Sequence, residues 1–263
     1  MAEHRIRGRV AVVTGASSGI GEEIAVLLAA RGARLALGAR RRTELDEVAA
    51  ACRALGAEVL ALPTDVTVRA QAEGLVAAAI EQWGRVDIVV ANAGQMFRIP
   101  VRDLAYDDVV AAMEVNYFGA VAPVLAALPA MIERGNGQIV LLGSLESRKG
   151  VPHEGAYAAT KFAIAGFGDV ARQELHEYGV TVTTAFFGRV DAEMIAPLRV
   201  SPIQPKIPAA KAARAIIRGI EKRKPEVVVP AVRGRLFFLA AALSPRLADF
   251  VNRLLRVSGT WEG

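Results

Sequence analysis

The chain has 263 residues, 53% hydrophobic and 22% charged, with no low-complexity block, which is the make-up of a folded globular protein with one large core. Its single cysteine, Cys52, excludes an internal disulfide and fits a reducing, cytoplasmic setting. The net charge is +5, but residues 206–256 carry twelve Lys/Arg against three Asp/Glu, a local +9 that leaves −4 for the remainder.

The N-terminal MAEHRIRGRVAVVTG does not read as a signal peptide, because its apolar part begins at Val10 and runs at once into a glycine turn. From there, seven apolar runs alternate with helical patterns. The runs are RVAVVTG, ARLALGA, AEVLALPTD, VDIVVANAG, GQIVLLGS, VTVTTAFFG and PEVVVP. Each is too short and too uniformly apolar for a half-exposed antiparallel strand, so they predict buried parallel strands. Helices are predicted at 18–31, 43–55, 69–83, 107–134, 154–178 and 209–222. The alternation predicts an α/β fold over 1–263, one domain with a parallel sheet and helices on both faces.

Segment 188–208 breaks the rhythm with Pro197, Pro202, Pro205 and Pro208, and reads as a substrate loop beyond a C-terminal strand end. The C-terminal extension 231–263 holds RLFFLAAALSPRLADFVNRLLR, an amphipathic helix pair broken at Pro245. It is expected to cap the pocket, ahead of meeting another subunit or touching a bilayer. Its longest apolar run, LFFLAAAL, has eight residues, against roughly 20 for a bilayer span. The basic charge here reads as a solvated helix face with a core-facing stripe; an anionic partner or membrane surface is the alternative.

The first strand runs into TGASSGIG. Gly15, Gly19 and Gly21 let the backbone approach a phosphate, and the following helix offers free N–H groups, with Ser17, Ser18 and Ile20 in the same turn. The second strand ends LALGARRR. A site for NAD usually has an acid there to hold the ribose 2′-OH. Here stand Ala39, Arg40, Arg41 and Arg42. A guanidinium suits a 2′-phosphate, with bonds worth roughly 1.5–3 kcal/mol each. NADP (NADPH) is therefore favoured over NAD, with Arg40 as first contact and Arg41 as second.

YAATK places Tyr157 and Lys161 four apart on a predicted helix, one turn of about 5.4 Å, so they share a face. With the glycine turn and NAG (92–94) after the fourth strand, the sequence resembles the short-chain dehydrogenase/reductase family, from about residue 9 to 190 and more weakly to 230. The resemblance implies a single Rossmann-like doubly wound domain with a seven-stranded parallel sheet. It implies hydride transfer between NAD(P) and a carbonyl or alcohol. Residue by residue, Tyr157 and Lys161 match the family's Y-x-x-x-K, and Ser144, thirteen residues earlier, its catalytic serine. Asn116 in MEVNYFG matches the fourth catalytic residue. Asp65 and Val66 match the pair that meets the adenine, and Asn92, Ala93 and Gly94 the motif along the cofactor.

That resemblance implies that Tyr157 exchanges the proton, Ser144 holds the substrate oxygen, Lys161 binds the nicotinamide ribose and Asn116 holds a relay water. A free tyrosine has a pKa of about 10, and the Lys161 ammonium is expected to lower it. The family usually reads P-G-x-V-x-T after the sixth strand. This chain reads FGRVDA, with Phe187 for the proline and Ala192 for the threonine that often meets the nicotinamide. Main-chain groups at Val190, or the side chains of Asp191 or Glu193, are candidates to compensate.

Leu145, Glu146, Met96, Phe97, Phe187, Met194, Ile195 and Leu198 are candidate pocket residues, pointing to an apolar or bulky carbonyl or alcohol. Glu146 is also readable as a solvated charge. His153 and His176 read as solvated, no metal is expected, and the scattered aromatics argue against nucleic acid. The resemblance implies a homodimer or homotetramer joined through the helices at 107–134 and 154–178. The alternative function is an NADP(H)-sensing binding module without turnover; within enzymes, an epimerase or dehydratase would share the Tyr/Lys pair.

Overall fold

Most strand residues that face a helix layer here are apolar, with Gln138, Thr183 and Thr184 as buried exceptions, and the two layers can be read from alternate positions of one strand. The computed structural model describes residues 6–196, 198–200, 205–254 and 260–261. Pro197 and Pro202 of the substrate loop, and 255–259 and 262–263 of the C-terminal extension, lie outside the described residues.

β1 (Val10–Thr14) leads to α1 (Gly19–Ala29), β2 (Arg34–Ala39) to α2 (Arg42–Ala54), and β3 (Val59–Pro63) to α3 (Arg69–Trp83). β4 (Ile88–Ala91) leads to α4 (Tyr106–Met113), a π turn at Glu114–Phe118, and α5 (Gly119–Glu133). β5 (Gly137–Leu142) precedes α6 (Gly155–Glu174). β6 (Val180–Phe187) is followed by the short strands β7 (Val190–Asp191), β8 (Leu198–Arg199) and β9 (Ile207–Pro208), then α7 (Ala209–Glu221). β10 (Glu226–Val229) completes the sheet; α8 (Ala231–Leu243), α9 (Pro245–Leu254) and β11 (Thr260–Trp261) follow.

The seven-stranded sheet has the order β10-β6-β5-β4-β1-β2-β3, with every neighbouring pair parallel. Ala11, Val13, Ile88 and Val90 face a core shared with α1, α2 and α7. Val10, Val12, Val89 and Ala91 face the opposite core, shared with α3, α5 and α6. The period of two explains why the strands read as unbroken apolar runs. Burying each large aliphatic side chain contributes about 1.5–3 kcal/mol. On α7, Ala212, Ala213, Ile216, Ile217 and Ile220 are buried while Lys211, Arg214 and Arg218 lie on the other side. That amphipathic pattern seats α7 beside α1.

Two expected segments gain detail. The helix predicted at 107–134 carries a π turn at Glu114–Phe118, where one extra residue per turn brings Asn116 inward. The run Tyr106–Glu133 has the length and apolarity of a bilayer span, yet it lies along α3 and β4, with Val124, Ala127 and Met131 fully buried. The loop predicted at 188–208 is pinned rather than irregular throughout. β7 pairs in parallel with β9, and β8 pairs antiparallel with β11. The expected break at Pro245 is present, since α9 starts there.

The strand order reverses between β1 and β4, and the crevice beyond their C-terminal ends is where open parallel sheets take ligands.

Candidate active site

The glycine turn is shaped by the tip of β4. Asn92 Nδ2 donates to the Thr14 and Gly15 carbonyls, both at 3.0 Å, and the Asn92 and Ala93 N–H groups donate to Thr14 Oγ1 at 3.1 and 3.2 Å. Gly15 has φ +63° and Gly19 φ +61°, a region that only glycine enters readily. A Cβ on Gly21 would fall 2.2 Å from the Gly15 carbonyl oxygen and 2.5 Å from Asn92 Nδ2. Gly21 therefore supports the turn from behind, whereas Gly15, Ser17, Ser18, Gly19 and Ile20 line the cavity.

That cavity has a volume of about 800 Å³ and runs without interruption from the glycine turn to Tyr157. Arg40 and Arg41 line its near end, then Asp65 and Val66, then Asn92, Ala93 and Gly94. Arg40 is exposed, and Arg41 is already engaged, donating to Glu193 Oε2 at 2.7 Å and Ser18 Oγ at 2.6 Å. Burial works to raise the Asp65 carboxyl, but hydrogen bonds from the Thr67 N–H and hydroxyl, together with the Arg40 charge, hold it below the usual range. A phosphorylated dinucleotide fits this donor set. The turn supplies N–H groups, residues 39–42 carry no carboxylate, and a buried ammonium stands at the far end.

The far end gathers all four expected catalytic residues. Ser144 follows β5 and caps a 3₁₀ turn at Leu145–Ser147, its Oγ accepting the Glu146 N–H at 3.1 Å. Tyr157 and Lys161 stand one turn apart on α6, with Nζ 5.5 Å from the ring centroid. Ser144 Oγ also donates to the Phe187 carbonyl at 3.5 Å, and Lys161 Nζ donates to the Leu142 carbonyl at 2.8 Å. Asn116 accepts from the Gln95 N–H at 2.7 Å and donates to the Gln95 carbonyl at 2.9 Å. A Cβ on Gly94 would sit 2.9 Å from Asn116 Oδ1 and 3.8 Å from Lys161 Nζ, so this glycine keeps open the space between them.

The electrostatics differ from expectation. The Tyr157 phenol is pushed up, not down: burial is the main cause, followed by the charges of Glu146 and Glu154, with the Ser144 hydrogen bond and Arg189 opposing. Burial also lowers Lys161 to about 8, against the pull of Glu146. In a dry site both charged forms are disfavoured, and that outweighs the attraction between them.

At the substrate end, Leu145, Glu146, Met96, Phe187, Met194 and Ile195 line the cavity as expected, and Phe97 and Leu198 do not. Arg233 and Phe237 of α8 also line it, and Phe238 packs edge-on against Phe186 at 5.5 Å, so α8 forms part of the pocket wall. Glu146 is buried, not solvated. Beside it lies a cluster that no short motif signals. Glu154 Oε1 accepts from Arg98 Nη1 and, at 3.0 Å, from Arg189 Nη2, residues 56 and 35 positions away. Arg189 lines the cavity as well.

All of FGRVDA but Asp191 lines the cavity, as does Glu193 just after it; Asp191 lies 3.9 Å from Lys206. Glu193 is turned to Arg41. Ala192 lies against the glycine turn, 3.3 Å from where a Cβ on Gly19 would be. His153 and His176 are exposed. Cys52 is buried, and that burial pushes its thiol up to about 11. Among the described residues, no group of His, Cys, Asp or Glu could hold a metal.

A doubly wound parallel sheet with this glycine turn and a Ser/Tyr/Lys set defines an oxidoreductase that acts on CH–OH groups with a nicotinamide cofactor. Residues 9–202 match the family model for short chain dehydrogenase, and the chain belongs to the short-chain dehydrogenase/reductase family. It is 34% identical over 254 residues to a fatty acyl-CoA reductase of Acinetobacter baylyi, covering 96% of this chain and 84% of that one. It is 33% identical over 260 residues to dehydrogenase/reductase SDR family member 7B of Bos taurus, covering 92% and 79%. A crystal structure from Sinorhizobium meliloti 1021, assigned to the short-chain alcohol dehydrogenases, matches with a TM-score of 0.69 and 34% identity over 72% of this chain and 75% of that one.

Proposed function

We propose that the protein is a cytoplasmic, NADPH-dependent reductase of apolar aldehydes or ketones, with Asn116, Ser144, Tyr157 and Lys161 as its catalytic set. The observation that carries this reading is the single cavity that holds Arg40 and Arg41, in a stretch 39–42 without a carboxylate of its own, at one extreme and Ser144 with Tyr157 at the other. The bound cofactor would supply the hydride to the carbonyl carbon. Gly15 to Ile20 bind its phosphates, Arg40 its 2′-phosphate, Asp65 and Val66 its adenine end, and Lys161 the ribose beside the reacting carbon.

Ser144 donates to the carbonyl oxygen and orients it. Tyr157 then gives its proton to that oxygen. A phenol raised above its ordinary value keeps its proton at neutral pH, which suits a general acid and favours the reductive direction. Lys161, lowered to about 8, can pass a proton on near neutrality, and Asn116 holds the path from solvent beside Gly94.

The apolar wall of Leu145, Phe187, Met194, Ile195 and Phe237 supports an apolar substrate, as does the fatty acyl-CoA reductase activity named for the Acinetobacter relative. The exposed Phe118 and Leu125 on the α4–α5 run and Phe162 and Val170 on α6 support assembly as a homodimer or homotetramer.

The test is consumption of NADPH and of NADH with a panel of aliphatic and aromatic aldehydes and ketones, run beside Tyr157→Phe. Turnover with NADPH that falls by about a thousandfold or more in the variant is expected. Equal or better turnover with NADH would remove the role given to Arg40. NADPH binding without turnover of any carbonyl would favour a sensing module.

A further inference from the structure

Helix α8 has two apolar faces, and the fold covers one of them. Its sequence is AVRGRLFFLAAAL, with Arg233 and Arg235 as its only charged residues. The inner face is taken up by the domain. Phe238 packs on Phe186, Phe237 lines the cavity, and a Cβ on Gly234 would fall 2.5 Å from Val228 and 2.9 Å from Leu145. The outer face is apolar as well. Val232, Leu236, Leu239 and Leu243 recur on it at helical spacing and are 74, 60, 56 and 71% exposed. Beyond the bend at Pro245, α9 packs against α8 and exposes Leu247 and Phe250. A helix that is apolar all round belongs out of water. Six large apolar side chains open to water on one helix pair are more than the scattered exposure of an ordinary surface.

The charges beside this face indicate what covers it. Residues 231–250 carry Arg233, Arg235 and Arg246 against one acid, Asp249, and Asp249 is held by Lys149 at 2.6 Å. The whole segment 206–256 has a local charge of +9. A second copy of this chain, placed face to face, would set arginine against arginine, and the exposed Phe118, Leu125, Phe162 and Val170 offer self-association a separate surface. An anionic bilayer surface complements both properties at once. Leucine side chains enter the boundary between headgroups and acyl chains, while guanidinium groups stay at the phosphates.

We propose that the α8–α9 hairpin docks on the surface of an anionic phospholipid bilayer, through Val232, Leu236, Leu239, Leu243, Leu247 and Phe250, with Arg235 and Arg246 at the headgroups. The hairpin lies on the bilayer and does not cross it. The 13 residues of α8 reach about 20 Å, short of a hydrocarbon core of about 30 Å. Because Arg233 and Phe237 of the same helix line the cavity, docking sets the cavity beside the lipid. Docking needs no turnover, so the proposal stands apart from the reductase reading.

The test is sedimentation of the full chain with sucrose-loaded vesicles, either phosphatidylcholine alone or phosphatidylcholine mixed with phosphatidylglycerol, at low and high salt. Partition to the mixed vesicles is expected to exceed that to the neutral ones by about tenfold or more, and to weaken as salt rises. Leu236→Ser combined with Leu239→Ser should lower partition about tenfold. Arg235→Gln combined with Arg246→Gln should remove most of the preference for the mixed vesicles. These side chains are exposed and do not line the cavity, and thermal unfolding and NADPH binding are followed for each variant. If the first serine pair does not fold, Val232→Ser with Leu243→Ser carries the same comparison.

No sedimentation with either vesicle overturns the proposal, as does binding that the serine pair leaves unchanged. Sedimentation velocity without lipid gives the remaining outcome. An assembly that the serine pair takes apart, in a protein that ignores vesicles, would assign this face to a second copy of the chain and overturn the proposal too.

Discussion

At the cofactor end of the cavity, one neutral side chain, Asn92, shapes the glycine turn, whereas at the substrate end four ionisable ones gather. Asn92 on β4 reaches the carbonyls of Thr14 and Gly15 on the adjacent β1, and glycines leave the room it needs. Glu154, Arg98, Arg189 and Glu146 come from four separate segments and are brought together only by the folded sheet. The first arrangement binds backbone to backbone and is local to one strand pair. The second holds ionisable groups out of water, where every member depends on the others. The cofactor end should therefore fail gradually under substitution and the substrate end abruptly.

The sharpest way to break that comparison is Glu154→Ala. It deletes the common acceptor of two buried guanidinium groups and is expected to lower the unfolding free energy by about 3–5 kcal/mol, read from urea denaturation. A loss no larger than that from an exposed ion pair would show that the substrate end does not depend on completeness. Asn92→Ala is expected to cost less, about 1–3 kcal/mol, because it frees two neutral carbonyls, and to weaken NADPH binding in a fluorescence titration.

A smaller effect follows at the exposed mouth. Arg40→Ala should raise the KM for NADPH about tenfold, with a much smaller change for NADH. Equal changes for the two cofactors would assign the 2′-phosphate elsewhere.

The smallest effect is one of pH. Burial and the Glu154 charge raise the Glu146 carboxyl well above its ordinary value of 4.5, so the native state keeps a proton that the unfolded chain loses. The stability this gives is complete below pH 4.5 and declines as pH rises towards the native value. Glu146→Gln cannot titrate, so its melting temperature should gain on that of the unaltered protein as pH increases through that window. A constant difference across the window would mean that Glu146 is ionised in the native state.

Much of this molecule is legible in its sequence. The seven apolar runs are the seven strands because burial on both faces removes any need for polar alternation. TGASSGIG and YAATK are legible because their chemistry depends on close spacing. Sequence reading missed whatever depends on distance along the chain. The ammonium four residues from Tyr157 is visible as a pair, but the burial that reverses the phenol's shift is a property of the assembled site. Glu146 reads as a pocket residue or a solvated charge, and its burial cannot be told from sequence because Arg98 and Arg189, which hold the neighbouring Glu154, lie far along the chain. The π turn at Glu114–Phe118 falls on EVNYF, a stretch of mostly weak helix formers, but nothing in those residues distinguishes a π turn from a continuing α-helix.

The strand order also has a consequence for synthesis. β1 is made first but sits mid-sheet between β2 and β4. On the ribosome, one edge of β1 waits for Ile88–Ala91 to appear, which at 5–20 residues per second takes roughly 4–15 s. For that interval the nascent chain presents an apolar strand, Val10–Thr14, with a row of unpaired peptide groups. The glycine turn at the tip of β1 cannot reach its final shape before Asn92 has been translated, so the cofactor site is a late product of an early segment.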